Sequence, residues 1–199
     1  MKIKLLILLV MCLLSSCYVN RIGILLGIKP SGFSYKYDGQ NTGLDTLINL
    51  NGYYRSKYPM ASRFGSEYKI NFSVMFYNNG LMCYTGLDPV MIFTNHNNIY
   101  NNKPVWGSYR LFNDTIKVQL LGDPDPAQSY ISTSHDEYVI INDSTIEFTE
   151  NNSSRINYDK NERWGYELNE KNKIFKFHPL ETRIDSTNWL LKKKWFYKK

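Results

Sequence analysis

Tyr109-Arg110-Leu111-Phe112-Asn113-Asp114-Thr115-Ile116-Lys117-Val118 reads as a strand, a tight turn and a second strand. Asn and Asp accept the backbone angles that a two-residue hairpin turn demands. With Asn113-Asp114 as the turn, Leu111 lies opposite Ile116 and Tyr109 opposite Val118, so the apolar groups share one face. A slip of one residue would scatter them over both faces. The plan recurs in Tyr138-Val139-Ile140-Ile141-Asn142-Asp143-Ser144-Thr145-Ile146-Glu147-Phe148. Taking Asp143-Ser144 as that turn sets Ile141 against Ile146 and Val139 against Phe148.

Upstream, Ile70, Phe72, Val74 and Phe76 alternate with Asn71, Ser73, Met75 and Tyr77, the period of a half-buried strand. Asn78-Asn79-Gly80 supplies a hairpin turn, and Leu81-Met82-Cys83-Tyr84 resumes the strand. Three such hairpins describe an antiparallel meander. Residues 50–54, 90–94 and 174–178 add candidate strands. The expected fold class is therefore all-β, an up-and-down antiparallel β-barrel of about eight strands. Closure removes the edges that so long a sheet would expose. Composition agrees, with 16 Tyr and 10 Phe among 199 residues. At the far end, Asp185-Ser186-Thr187-Asn188 offers helix caps, and residues 189–196 are predicted as a short C-terminal helix with lysines in its last turns.

The first seventeen residues carry a different signal. Met1-Lys2-Ile3-Lys4 is a short positive segment, followed by the uncharged apolar run 5–14. That run is about half the length a membrane-spanning helix needs, which marks a signal peptide rather than an anchor. Leu14-Ser15-Ser16-Cys17 looks like a lipobox: an aliphatic residue, two small residues and a cysteine. The Cys17 thiol would take a diacylglyceryl group through a thioether, and cleavage between Ser16 and Cys17 would expose a new amino group for palmitate-type acylation. Several acyl chains hold a protein on a membrane where one is marginal. Residues 1–16 are thus read as a lipoprotein signal peptide, and 17–43 as lipidated cysteine and tether. Residues 44–199 are read as the barrel domain with its helix. Tyr18-Val19-Asn20-Arg21 contains no Asp, which by resemblance to bacterial lipoproteins implies an outer-membrane destination, and no acidic cluster resembling a surface-export signal, which implies a periplasm-facing position.

The net charge of +6 resolves into Lys2 and Lys4 in the signal peptide and a cluster at Lys192, Lys193, Lys194, Lys198 and Lys199. The rest is near neutral, so a nucleic-acid partner is not expected. Of three cysteines, Cys12 lies in the apolar run and Cys17 is the lipid site. Cys83 remains alone, and no intramolecular disulfide can form in the mature domain.

Asn51-Gly52-Tyr53-Tyr54, Phe76-Tyr77-Asn78-Asn79-Gly80, Trp106-Gly107-Ser108-Tyr109-Arg110 and Asp185-Ser186-Thr187-Asn188-Trp189 together resemble the lipocalin-like lipoproteins of Bacteroidetes, a family whose function is mostly unassigned. The resemblance spans residues 44–199 through short motifs. The chain departs from true lipocalins in carrying Gly-Tyr-Tyr where they have Gly-x-Trp, and it lacks their Thr-Asp-Tyr triplet. The resemblance implies a lipocalin-type fold and leaves the ligand open.

Motifs for catalysis or metal binding are absent from the sequence: no zinc-protease helix, nucleophile elbow, phosphate-binding glycine loop or paired cysteines. In His135-Asp136-Glu137, alternate residues of a strand point to opposite faces, so His135 and Glu137 share one and Asp136 takes the other. Asp123-Pro124-Asp125-Pro126 reads as a loop. Cys83 is placed on the side of Val74 and Phe76 as a core thiol. No catalytic residue, metal or cofactor is expected. Tyr53, Tyr77, Tyr84, Tyr109 and Tyr138 are the candidate ligand-binding residues, with amphipathic rings suited to a pocket for a small apolar or sugar ligand. The expectation is a non-catalytic, membrane-anchored envelope lipoprotein binding such a ligand in its barrel. The alternative is an envelope interaction protein with a filled barrel.

Overall fold

The turn at Asn113-Asp114 forms as its chemistry requires, with Asn113 at φ 55, in the left-handed region. It joins β6 (Val105–Phe112) to β7 (Thr115–Leu121), and the pairs Leu111–Ile116 and Tyr109–Val118 are in the predicted register. Gly80, at φ 87, turns β4 (Ser73–Phe76) into β5 (Leu81–Thr85). The third hairpin joins β8 (Thr133–Asn142) to β9 (Thr145–Ser153). With β1 (Gly52–Ser56) and β12 (Ile174–Pro179) these strands form a closed barrel of eight, antiparallel and up-and-down. The ring shuts where β1 pairs with β12 on one side and with β4 on the other. Two short ladders stand apart from it: β2 (Met60–Ala61) with β3 (Lys69–Ile70), and β10 (Glu162–Arg163) with β11 (Tyr166–Glu167). The computed structural model describes residues 32–58, 60–61, 69–86, 104–121, 133–153, 162–163, 166–167, 171, 173–181 and 185–198. The segment read as a signal peptide, the strand expected at 90–94 and the loop expected at Asp123–Asp125 lie outside them.

Alternation sends Tyr54, Phe72, Val74, Phe76, Met82, Tyr84, Tyr109, Ile116, Val118, Tyr138, Ile146, Phe148 and Phe175 into one interior cluster. One end is capped by the 3-10 turn Leu44–Thr46, which brings Leu44, Ile48 and Leu50 onto the same cluster. Tyr54 locks that end, its hydroxyl donating to the carbonyls of Asp143 (2.7 Å) and Asn49 (3.2 Å). Gly52 and Gly107 are required by close approach. A Cβ at either would collide with a neighbouring strand's carbonyl oxygen, His178 O or Gln119 O respectively.

Three expectations are corrected. In the β8–β9 hairpin, Ile141 does not face Ile146, and Val139 does not face Phe148. Ile140 pairs with Ile146, Val139 with Glu147, and Tyr138 with Phe148. One bulge lies between Ile140 and Asn142 and a second between Glu137 and Tyr138. The turn-dictated register holds at Asn142–Thr145 and returns at Asp136–Asn151, but is displaced between the bulges. The cause is the run Tyr138-Val139-Ile140-Ile141, apolar on both faces. Turning Tyr138 and Ile140 inward buries the larger ring and leaves Ile141 52% exposed.

Second, residues 189–196 are not a continuous helix but two 3-10 turns, Trp189–Lys192 and Lys194–Phe196, broken by extended Lys193. The cap is as expected, Asn188 Oδ1 accepting from the Leu190 amide at 2.9 Å. Leu190 and Phe196 both reach the barrel wall, yet residues six apart on an α-helix are rotated by about 240°. The break at Lys193 is what lets both dock.

Third, Cys83 is buried but faces outward with Met75 rather than inward with Val74, because Met75 is its cross-strand partner. This outer face has its own apolar cluster, in which Met75, Tyr77, Leu81, Cys83, Trp106 and Leu121 are covered by Phe33, Leu190 and Phe196.

Candidate functional site

The five candidate tyrosines are buried, at 0–7% exposure, and the barrel wall divides them. Tyr84, Tyr109 and Tyr138 point inside, whereas Tyr53 and Tyr77 belong to the outer cluster. Each ring is engaged. Tyr84 stacks on Phe72 with centroids 5.1 Å apart, and Tyr109 meets Phe76 edge-on at 5.5 Å. Tyr138 makes edge contacts with Phe148 (5.4 Å), Phe175 (5.8 Å) and Phe76 (5.9 Å). Outside, Tyr53 stacks on His178 at 5.2 Å and Tyr77 on Trp106 at 5.9 Å. Tyr109 and Tyr138 thus belong to a connected aromatic packing that runs through Phe76 to Tyr54, while Tyr84 pairs with Phe72.

Outside the barrel the organising residue is Gln119, fully buried on β7. Its Oε1 accepts from the amides of Ser34 (2.7 Å) and Tyr35 (2.9 Å). Its Nε2 donates to Gly32 O and lies 2.8 Å from His135 Nε2. Ser108 Oγ donates to Tyr35 O at 2.7 Å. These bonds fasten residues 32–37, read from sequence as tether, across the sheet. Tyr37 then bridges in parallel to Tyr197, with Tyr37 N donating to Phe196 O and Lys198 N to Tyr37 O. Phe33 sits between, 5.5 Å from Trp195 and 5.6 Å from Phe196. The C-terminal segment therefore packs on the barrel while Lys192, Lys194 and Lys198 stay exposed.

Beside this strap lies an open groove of about 450 Å³, within the size range of small-ligand sites. Its wall combines Lys36, Asp38 and Gln40 from the strap, Asn79 from the β4–β5 turn, and Arg110 and Phe112 from β6, with Lys198 at the rim. Three cations face one carboxylate. Sequence reading missed this groove and Gln119, because the residues come from segments as far apart as Lys36 and Lys198 and none is unusual by itself.

Burial pushes the Cys83 thiol up to about 12, far from the thiolate range of a nucleophile. Burial likewise pushes the Tyr54 phenol well up. His135 and Glu137 point outward and Asp136 inward, as alternation predicts. Asp136 Oδ2 accepts a long 3.4 Å bond from Tyr138. Among the described residues no three His, Cys, Asp or Glu side chains gather as a metal site, and no helix is long and apolar enough to cross a membrane. Compared with known proteins, the chain matches no family model, no curated protein sequence and no solved structure.

Proposed function

We propose that this chain is a non-catalytic, lipid-anchored envelope protein whose barrel is a filled scaffold and whose working surface is its outside. On this reading Cys17 carries the lipid, the protein sits on the periplasmic side of an outer membrane, and the fold is lipocalin-like without a lipocalin-type interior ligand. One observation carries the choice over an interior ligand site. Tyr54, Phe76, Tyr109, Tyr138, Phe148 and Phe175 contact one another ring to ring across the lumen, where a small apolar ligand would have to displace them. The lipobox at Leu14-Ser15-Ser16-Cys17 supports the anchor.

Two measurements test this reading. Metabolic labelling with an alkyne palmitate should tag the wild-type chain in a bacterial membrane fraction and leave Cys17→Ser unlabelled. Native mass spectrometry of the chain released from detergent should show protein bearing only its covalent lipid. A second, non-covalent apolar molecule at one per chain would return the interior-ligand reading to first place.

A further inference from the structure

We propose that the groove beside the strap is a binding site for an acidic saccharide, with Arg110 holding its oxyanion. This goes beyond the scaffold reading and stands whether or not Cys17 is acylated.

On the outer face, Arg110 of β6 sits directly opposite Lys117 of β7. Like charges at such a position are destabilising. Lys117 is compensated by Glu137 of β8, its Nζ 2.7 Å from Oε1. Arg110 has no such partner: among the described residues no carboxylate or other acceptor takes its guanidinium. Its Cζ instead lies over the Tyr35 ring, 5.2 Å from the centroid. Tyr35 is itself fixed, its amide bonded to Gln119 and its carbonyl to Ser108. The result is a positioned fork of N–H donors on a groove wall. That fork matches the geometry of a carboxylate or phosphate.

The rest of the groove suits a polyhydroxylated body. Gln40 offers a side-chain amide on its wall, where Asn79 is held by Tyr37 Oη and the Leu81 amide, and Lys198, paired loosely with Asp38 at 4.0 Å, adds a cation at its rim. Phe112, half exposed on the same wall, offers a ring face against which a sugar's apolar side can lie. A purely apolar ligand would leave Arg110 without counter-charge. A neutral sugar would leave the guanidinium fork unused.

The test uses the full chain in neutral detergent at low salt, titrated by calorimetry. Glucuronate and glucose 6-phosphate supply the two sources of oxyanion, with glucose and inorganic phosphate as comparators. Backbone amide shifts at Gly80 and Arg110 report location. Saturable binding of either acidic sugar is expected, at least tenfold tighter than glucose or phosphate, and which one binds identifies the source. Arg110→Gln should weaken it tenfold or more and Arg110→Lys by less. Lys176→Gln, on the strand diametrically across the barrel, should leave it within twofold. Because Arg110 is exposed, its variants keep the fold, which the amide spectrum verifies. Failure of both acidic sugars to bind, or equal binding by Arg110→Gln, overturns the site. Inorganic phosphate binding as tightly as the sugar phosphate overturns the saccharide.

Discussion

Replacing Phe76 with alanine tests the filled interior where it is densest. The ring is 1% exposed and lies among Tyr109 at 5.5 Å, Tyr138 at 5.9 Å and Tyr54 at 6.4 Å. Truncating a buried Phe to Ala typically costs about 3–5 kcal/mol, the transfer free energy plus a term for the void that remains. Three aromatic neighbours lost together, each worth about 0.5–1.5 kcal/mol beyond area, place Phe76→Ala at the upper end, about 4–5 kcal/mol. For a chain of this size that lowers Tm by roughly 8–20 °C. The new void is apolar and dry, so it should accept benzene or toluene, as engineered apolar cavities do. The assay is urea unfolding followed by near-UV circular dichroism, with and without saturating toluene. Phe76→Ala should unfold earlier and recover part of the loss with toluene, while the wild type does not respond. A loss below about 1.5 kcal/mol, or equal toluene stabilisation of the wild type, would refute the packing argument.

Three further predictions concern the wall and strap. Gln119→Ala strands two amides and one carbonyl of residues 32–35, so hydrogen exchange at Ser34 and Tyr35 should accelerate at least a hundredfold, from about 3 kcal/mol of lost protection, while interior amides such as Val118 change less. Uniform acceleration throughout would show that the strap does not open independently. Burial raises the Cys83 pKa from about 9 to about 12 in the folded state, so above pH 9 the unfolded chain loses a proton that the folded chain keeps. Stability should therefore fall as pH rises from 9 to 10.5, by up to about 1.4 kcal/mol per unit, and Cys83→Ala should flatten that slope. The same thiol should resist alkylation until the chain unfolds. Gly107→Ala forces a Cβ against the Gln119 carbonyl and should destabilise by about 1–3 kcal/mol in the same urea assay; a neutral result would mean that β6 and β7 separate readily.

The barrel was legible because its hairpins state their own register. Asn113-Asp114 and Asn78-Asn79-Gly80 name their turns, and flanking apolar residues agree on one face, so Leu111–Ile116 followed from spacing alone. Where that agreement is degenerate, reading failed. Tyr138 to Ile141 satisfies either face, and only the competition for interior volume decides that Tyr138 goes in and Ile141 bulges out. Cys83 was misplaced because strands β4 and β5 are apolar on both faces, one lining the lumen and the other lying beneath the strap. The strap had no periodicity to find. It is held by Gln119, whose four partners come from segments 16 to 87 residues away. The five tyrosines stand out in sequence as rings suited to lining a pocket; they are buried on both sides of the wall, because a count of rings does not say which side each one takes.

The claim of a solid interior is tested most directly by xenon. Methyl resonances of Val74, Ile116, Val118 and Ile146, which line the lumen, can be followed in the wild-type protein under rising xenon pressure. A filled barrel predicts only small, linear, non-saturating shifts at these methyls. Saturable shifts converging on them would reveal a standing apolar cavity, and the interior-ligand reading would replace the scaffold.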